Sequence, residues 1–247
     1  MAELHISISA EPIFNLGHFE FTNSMLVSLL VSAGLSLVAI RFYQHLKQNK
    51  KSNFALFVAT VIESLYEFVQ SVTPHHAGKF FPLFTTIFLF VIFGSWAELL
   101  PGLDTIGLIK VVNGQERFVP LLRAATADVH TTLAIAIFAM ASVQIYGYKY
   151  QGISYFKKFF NLTNPINFFV GFLEIIAEFS RLISFTFRLF GNIFAGEVLL
   201  IVIAFLLPLF GPLPFVALEI FVGFIQALVF AMLTLVFINI AVSSEHH

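Results

Sequence analysis

Between Asn164-Pro165 and Pro208 the chain runs for about 43 residues with no further proline and few charges. As a single helix that stretch measures roughly 64 Å, against about 30 Å of hydrocarbon in a bilayer. A helix so long and so apolar must tilt steeply, bend or project from the membrane. Asn164 is a cap residue and Pro165 a first-turn proline, whereas Pro208 and Pro212 interrupt the pattern. The apolar run 166–207 followed by 213–242 predicts a long, steeply tilted helical hairpin.

Composition fits lipid as the main solvent. The chain has 247 residues, of which 58% are hydrophobic and 11% charged, less than half the charged share usual in soluble domains. Its mean hydropathy is +0.90. Cysteine is absent, which excludes disulfides, thiolate metal sites and thiol nucleophiles together. A net charge of -1 gives no basic field to recruit nucleic acid. The first twenty residues hold Glu3, Glu11 and Glu20 but no Lys or Arg. That is the wrong charge for a signal-peptide start, so the first apolar stretch is expected to be a retained span.

Five stretches are expected to cross the bilayer, about 22–42, 80–100, 129–148, 166–207 and 213–242. In a sixth, about 54–72, the polar residues Asn53, Thr60, Glu63, Glu67, Gln70 and Ser71 recur on one helical face. An amphipathic helix lying at the interface fits that pattern better than a span. The lysine distribution agrees. Arg41, Lys47, Lys50 and Lys51 follow the first span, and Lys149, Lys157 and Lys158 follow the third. Both clusters, with Lys79, fall on one side only if 54–72 lies flat. The outer loop 101–128 balances Lys110, Arg117 and Arg123 with Asp104, Glu116 and Asp128. The expected fold is therefore an all-α membrane protein, a single integral membrane domain over 1–247. It has five transmembrane helices and one interfacial helix, with the N-terminus outside and the C-terminus cytoplasmic.

Ionisable groups inside spans are costly, so each is a functional candidate. Glu174, Glu178, Arg181, Arg188 and Asn192 share one face of the long helix. Both glutamates lie within helical reach of Arg181, which gives either a neutralised surface cluster or part of an ion path. Arg188 has Ser184, Phe185, Gly191 and Asn192 as helical neighbours, none of them a carboxylate. Its partner must lie on another helix, Glu219 or Asp128 being possible ones, or on another chain. Ser184, Gly191, Ala195 and Gly196 make the helix shallow there, which would let a further helix approach, of this chain or another.

On the last helix Glu219, Gly223 and Gln226 face one way, and an antiparallel hairpin brings Glu219 toward Glu197. Two carboxylates close together in low dielectric cannot easily both ionise. Asp128 and His130 open the third span at about the same depth, Asp128 also reading as a helix N-cap. Glu98 is a fifth titratable group there, and Trp96 a plausible interface anchor.

Arg188-Leu189-Phe190-Gly191-Asn192, followed by Ala195-Gly196-Glu197, resembles subunit a of F-type ATP synthases. The resemblance extends to Phe81-Pro82-Leu83, Leu100-Pro101-Gly102, Thr126-Ala127-Asp128-Val129, Thr132-Leu133, Gln226-Ala227 and Ser243-Ser244-Glu245. It covers nearly the whole chain in order. It implies a non-catalytic, ion-translocating stator subunit of a rotary ATP synthase. Arg188 would face the carboxylates of a ring of c subunits, and Asn192 and Gln226 would line that interface. Glu197 and Glu219 would belong to an outer half-channel. Some members carry histidine at the position of Glu219 and asparagine at that of His130. The implied partners are the c-subunit ring, peripheral-stalk b subunits, the remainder of the F1Fo complex and the bilayer, with no nucleic acid. The implied place is an energy-coupling membrane such as a bacterial plasma (inner) membrane, and the expected ion is the proton. No cofactor and no metal is expected, and no GxxxxGK[ST] loop for phosphoryl transfer is present. A secondary ion transporter is the alternative; it would predict repeated halves and interrupted helices, and the sequence has neither.

Overall fold

The computed structural model describes residues 12–16, 19–48, 52–99, 107–112, 115–120, 123–159, 164–208 and 210–243. Lys50, Lys51, Pro101, Gly102, Asp104 and Glu245 lie outside them, as do the side chains of Glu98, Lys110, Glu116 and Arg117. Among the described residues six helices are long and apolar enough to cross a membrane. They are α1 (Asn23–Lys47), α2 (Asn53–Val72), α3 (Ala77–Trp96), α4 (Val129–Gln151), α5 (Pro165–Leu206) and α6 (Pro212–Val242). The molecule is an all-α membrane protein. By length and composition alone α2 qualifies with the rest, although it is the least apolar of the six.

Local chemistry sets the ends. The Thr22 side chain accepts from the Met25 amide at the start of α1, and that of Asp128 accepts from the His130 amide at the start of α4. Pro165 and Pro212 occupy the first turns of α5 and α6, where the missing N–H costs nothing. The bundle core is made by α3, α4, α5 and α6: Phe80, Phe84 and Val91, Ala136 and Ala139, Phe185 and Leu189, Ala227 and Phe230 are all buried. Helices in lipid gain little from hydrophobic burial, so close van der Waals fit holds this core. The edge of Phe185 meets the face of Phe230 with centroids 4.7 Å apart, a favourable aromatic geometry.

α5 and α6 are antiparallel neighbours. Gly196 lies against Glu219, Phe185 against Phe230, and Arg181 against Phe237. α5 is one unbroken helix of 42 residues. α1 stands apart, burying only Asn23, Ser24 and Val27 near its start.

Two antiparallel hairpins were not foreseen from the sequence. β1 (Pro12–Leu16) pairs with β2 (Phe19–Thr22), and β3 (Gly107–Val112) with β4 (Gln115–Pro120). The second places Lys110 opposite Arg117 and Val111 opposite Glu116. Asn113-Gly114, between two apolar-rich runs, is the strongest short-range hairpin signal, whereas charge balance alone predicts only a loop over 101–128.

Candidate ion-translocation site

Arg188 sits on the exposed side of α5. Its guanidinium donates one long hydrogen bond, 3.4 Å, to the Ser184 hydroxyl one turn earlier. No carboxylate among the described residues pairs with it, so neither Glu219 nor Asp128 is its partner. Ser184 and Ala195 are also exposed, and a Cβ added to Gly191 would meet nothing within 4 Å. Those three leave a shallow, open strip around the charge. Gly196 is different: it turns toward α6, where the Glu219 carboxylate fills the space beside its Cα. Its smallness serves the hairpin and not the open face.

Glu197 and Glu219, on adjacent helices, have different surroundings. Glu197 pairs with Arg123 at 2.9 Å, the two side chains being 20% and 8% exposed. Arg123 comes from the segment just before α4 and was counted in the sequence only as an outer-loop charge. An intramembrane glutamate requires a counter-ion, and that requirement was the available signal. Among the described residues Glu219 has no ion pair, and its buried Oε1 has no hydrogen-bond partner. The Asn192 Nδ2 and Gln226 Nε2 atoms are buried in the same condition. The α5–α6 register sets Asn192 level with Gly223, and Arg188 level with Ala227, next to Gln226. A line of unspent polar atoms therefore runs along this seam from Glu219 toward Arg188. Buried polar groups want partners, and water is the partner that a polar seam admits.

Asp128 caps α4 and does more. Ser24 of α1 donates to Oδ2 at 3.2 Å, and His130 Nδ1 lies 3.2 Å from Oδ1. His130 itself is 86% exposed. Neither residue bonds to Glu197 or Glu219, so the four predicted groups form two clusters and not one network. The segment Arg123–Asp128 links them: Thr126 bonds Ser95 of α3, and Ala124 and Ala127 pack on Ile193 of α5. Trp96 donates its indole N–H to the Ile220 carbonyl at 3.0 Å and packs on Gly223. Its polar edge is thus spent on α6.

At the far end of the hairpin Arg181 donates to Glu178 at 2.8 Å and lies 3.8 Å from Glu174. Lys158 joins them, 3.7 Å from each carboxylate, a contact between a connecting segment and α5 that helical periodicity does not predict. The cluster borders a cavity of about 490 Å³ that also touches Tyr155, Asn167 and Phe237. No group of His, Cys, Asp and Glu among the described residues is arranged to hold a metal.

Comparison with known proteins adds an independent line. A family model described as "ATP synthase A chain" matches residues 24–239. ATP synthase subunit a, chloroplastic, of Oedogonium cardiacum is 31% identical over 224 residues, covering 88% of this chain and 83% of that protein. ATP synthase subunit a of Geotalea daltonii is 31% identical over 222 residues, covering 90% of this chain and 83% of that protein. Matches of that extent, on a bundle of this architecture, establish that the chain belongs to the ATP synthase A chain family.

Proposed function

We propose that this chain carries ions, protons foremost, through the membrane sector of a rotary F1Fo ATP synthase, as the stator against which a c-subunit ring turns. It is a non-catalytic subunit; phosphoryl transfer belongs elsewhere in the complex. The carrying observation is Arg188, an arginine on an open small-residue strip with no carboxylate partner among the described residues. A guanidinium at membrane depth needs an anion, and the strip admits a helix that brings one. Arginine suits the post because guanidinium holds its proton too firmly to pass it across.

Two half-channels that never join complete the reading. Glu219 lines the outer one, with Glu197, held by Arg123, and Asp128 and His130 near its mouth, while Asn192 and Gln226 line the ring interface beside Arg188. Glu174, Glu178 and Arg181 line the inner one. An ion from outside neutralises a ring carboxylate, which then enters lipid at tolerable cost. A charged carboxylate returning from lipid meets Arg188. The driving energy is about 2.3 kcal/mol per charge per 100 mV, so several ions accumulate as torque for each ATP. A secondary transporter would use discontinuous helices near the midplane, and α5 is continuous.

The flat placement of α2 is part of the proposal. Ser24 meets the start of α4, whereas His76 and Lys79 meet Tyr150 near its end. If α1 crosses, α2 begins and ends on one side. Its six polar residues, Glu63 and Glu67 among them, are all exposed and turned from the bundle; a span would put them in hydrocarbon. The N-terminus is then outside and the C-terminus cytoplasmic, in a bacterial inner membrane with b subunits as further neighbours.

The test is functional. Assembled complexes carrying Arg188→Ala, Arg188→Lys or Arg181→Ala are purified, reconstituted and given the same ion gradient. Both Arg188 variants should lose coupled synthesis, because a desolvated ammonium can shed its proton where guanidinium cannot. Arg181→Ala should keep much more. Near-normal synthesis by Arg188→Ala would sink the proposal.

A further inference from the structure

Lys158 lies at the end of a 3-10 segment, Gly152–Lys158, that folds back against α4. Gly152 begins it with φ 63°, a conformation that favours glycine. The Tyr155 ring fills the place where a side chain at Gly147 would stand, and Gly171 of α5 lets the Phe159 carbonyl approach closely. Tyr155 is 1% exposed; its hydroxyl donates to Gln144 at 2.8 Å and accepts from Lys158 Nζ at 3.1 Å. The same ammonium sits 4.2 Å from the Tyr155 ring centre and 4.5 Å from that of Phe159, within cation–π range. The ammonium also pairs with two carboxylates, Glu174 and Glu178, each 3.7 Å away. A flexible, surface-seeking side chain is thus held from four directions.

We propose that Lys158 is a positioning residue for ion release on the inner side: Tyr155 fixes its ammonium between Glu174 and Glu178, so that both carboxylates face the cavity inside a charge-balanced cluster. The proposal rests on the reading that Glu174 and Glu178 line the inner half-channel. The charged groups around the two carboxylates are Lys157 and Lys158 on the inner segment and Arg181 on their own helix. Tyr155 adds a titratable hydroxyl, while α4 contributes Val143 and Gln151, and α6 only Phe237, Ile240 and Ala241. In direct contact, then, two cations meet two anions. Loss of Lys158 leaves one negative charge in excess, and the pair then retains a proton that it should pass on. Translocation would consequently fail at a higher inner pH.

The experiment uses assembled, reconstituted complexes with wild-type, Lys158→Met, Lys158→Arg, Tyr155→Phe, Glu174→Gln and Glu178→Gln chains. Proton-driven synthesis is followed while the inner pH is varied at fixed driving force. Lys158→Met should move the acid-side midpoint up by about half a unit to one unit, at the low end for a neighbouring charge because the site is partly exposed. Lys158→Arg should track wild type, and Tyr155→Phe should fall between. A simple packing role would lower the rate without moving the midpoint, so a wild-type midpoint in Lys158→Met overturns the proposal. If that variant does not assemble, a wild-type midpoint in Tyr155→Phe does so. Unaltered synthesis by both glutamine variants would instead show that the inner-channel reading fails, and the proposal with it.

Discussion

The carboxylate of Glu219 on α6 rests against the bare Cα of Gly196 on α5, in the space that a Cβ at Gly196 would occupy. Its neighbour in sequence, Glu197, is already neutralised by Arg123. One helix turn of the hairpin therefore holds two acids of unlike condition, one paired and one whose oxygen the protein leaves unbonded.

Gly196→Ala should move that carboxylate and leave the hairpin in place, because the displaced atoms are the end of a flexible side chain. Assembly should persist while ion-driven synthesis falls about tenfold or more, the usual scale for a misplaced reacting group. Adding Glu219→Asp, one methylene shorter, should recover part of the loss. A Gly196→Ala complex as active as wild type would make the contact incidental.

Neutralising Glu219 to Gln should slow synthesis with assembly intact, whereas Glu219→His should restore more activity, since imidazole titrates near neutrality. Equal rates for Gln and wild type would assign Glu219 to packing alone.

The Arg123–Glu197 pair predicts an asymmetric cycle. Arg123→Gln leaves a half-buried carboxylate unpaired, at a cost of about 3 kcal/mol, read as a lower melting temperature of the complex. Glu197→Gln combined with Arg123→Gln should be less harmful than the sum of the two single changes. Strict additivity would mean that the pair carries no coupling energy.

Topology is open to direct labelling, since the chain has no cysteine of its own. Single cysteines at Gln48 and at Ile153, which is 76% exposed, should react with impermeant reagents only from the cytoplasmic side. Reaction of the two from opposite sides would make α2 a span.

Periodicity and cost carried much of this structure. The apolar runs of α1 and α3 to α6 follow from length, and Arg188, Glu197 and Glu219 stand out because hydrocarbon penalises charge. Arg181 finds Glu178 because three residues on a helix bring side chains to one face. Contacts between a connecting segment and a helix have no such rule. Arg123 meets Glu197, and Lys158 meets Glu174 and Glu178, across separations fixed only by packing. Gly196 shows the same limit: a small residue signals close approach, but which neighbour approaches depends on how the helix is rotated. The two hairpins have a local signal in Asn113-Gly114 and Gly17-His18, a turn chemistry that the length of apolar runs does not report.

The Ser24–Asp128 hydrogen bond, which fastens the start of α1 to the start of α4, spans 104 positions of the chain. A ribosome adds about 5–20 residues each second, so roughly 5–20 s separate the synthesis of the two partners. Throughout that interval the first helix lacks its bond to α4. It bears no acidic residue, and its first basic one is Arg41, so most of its length suits a lipid environment. The late arrival of Asp128 means that the bond fixing the start of α1 to the start of α4 can form only once more than half of the chain has been made.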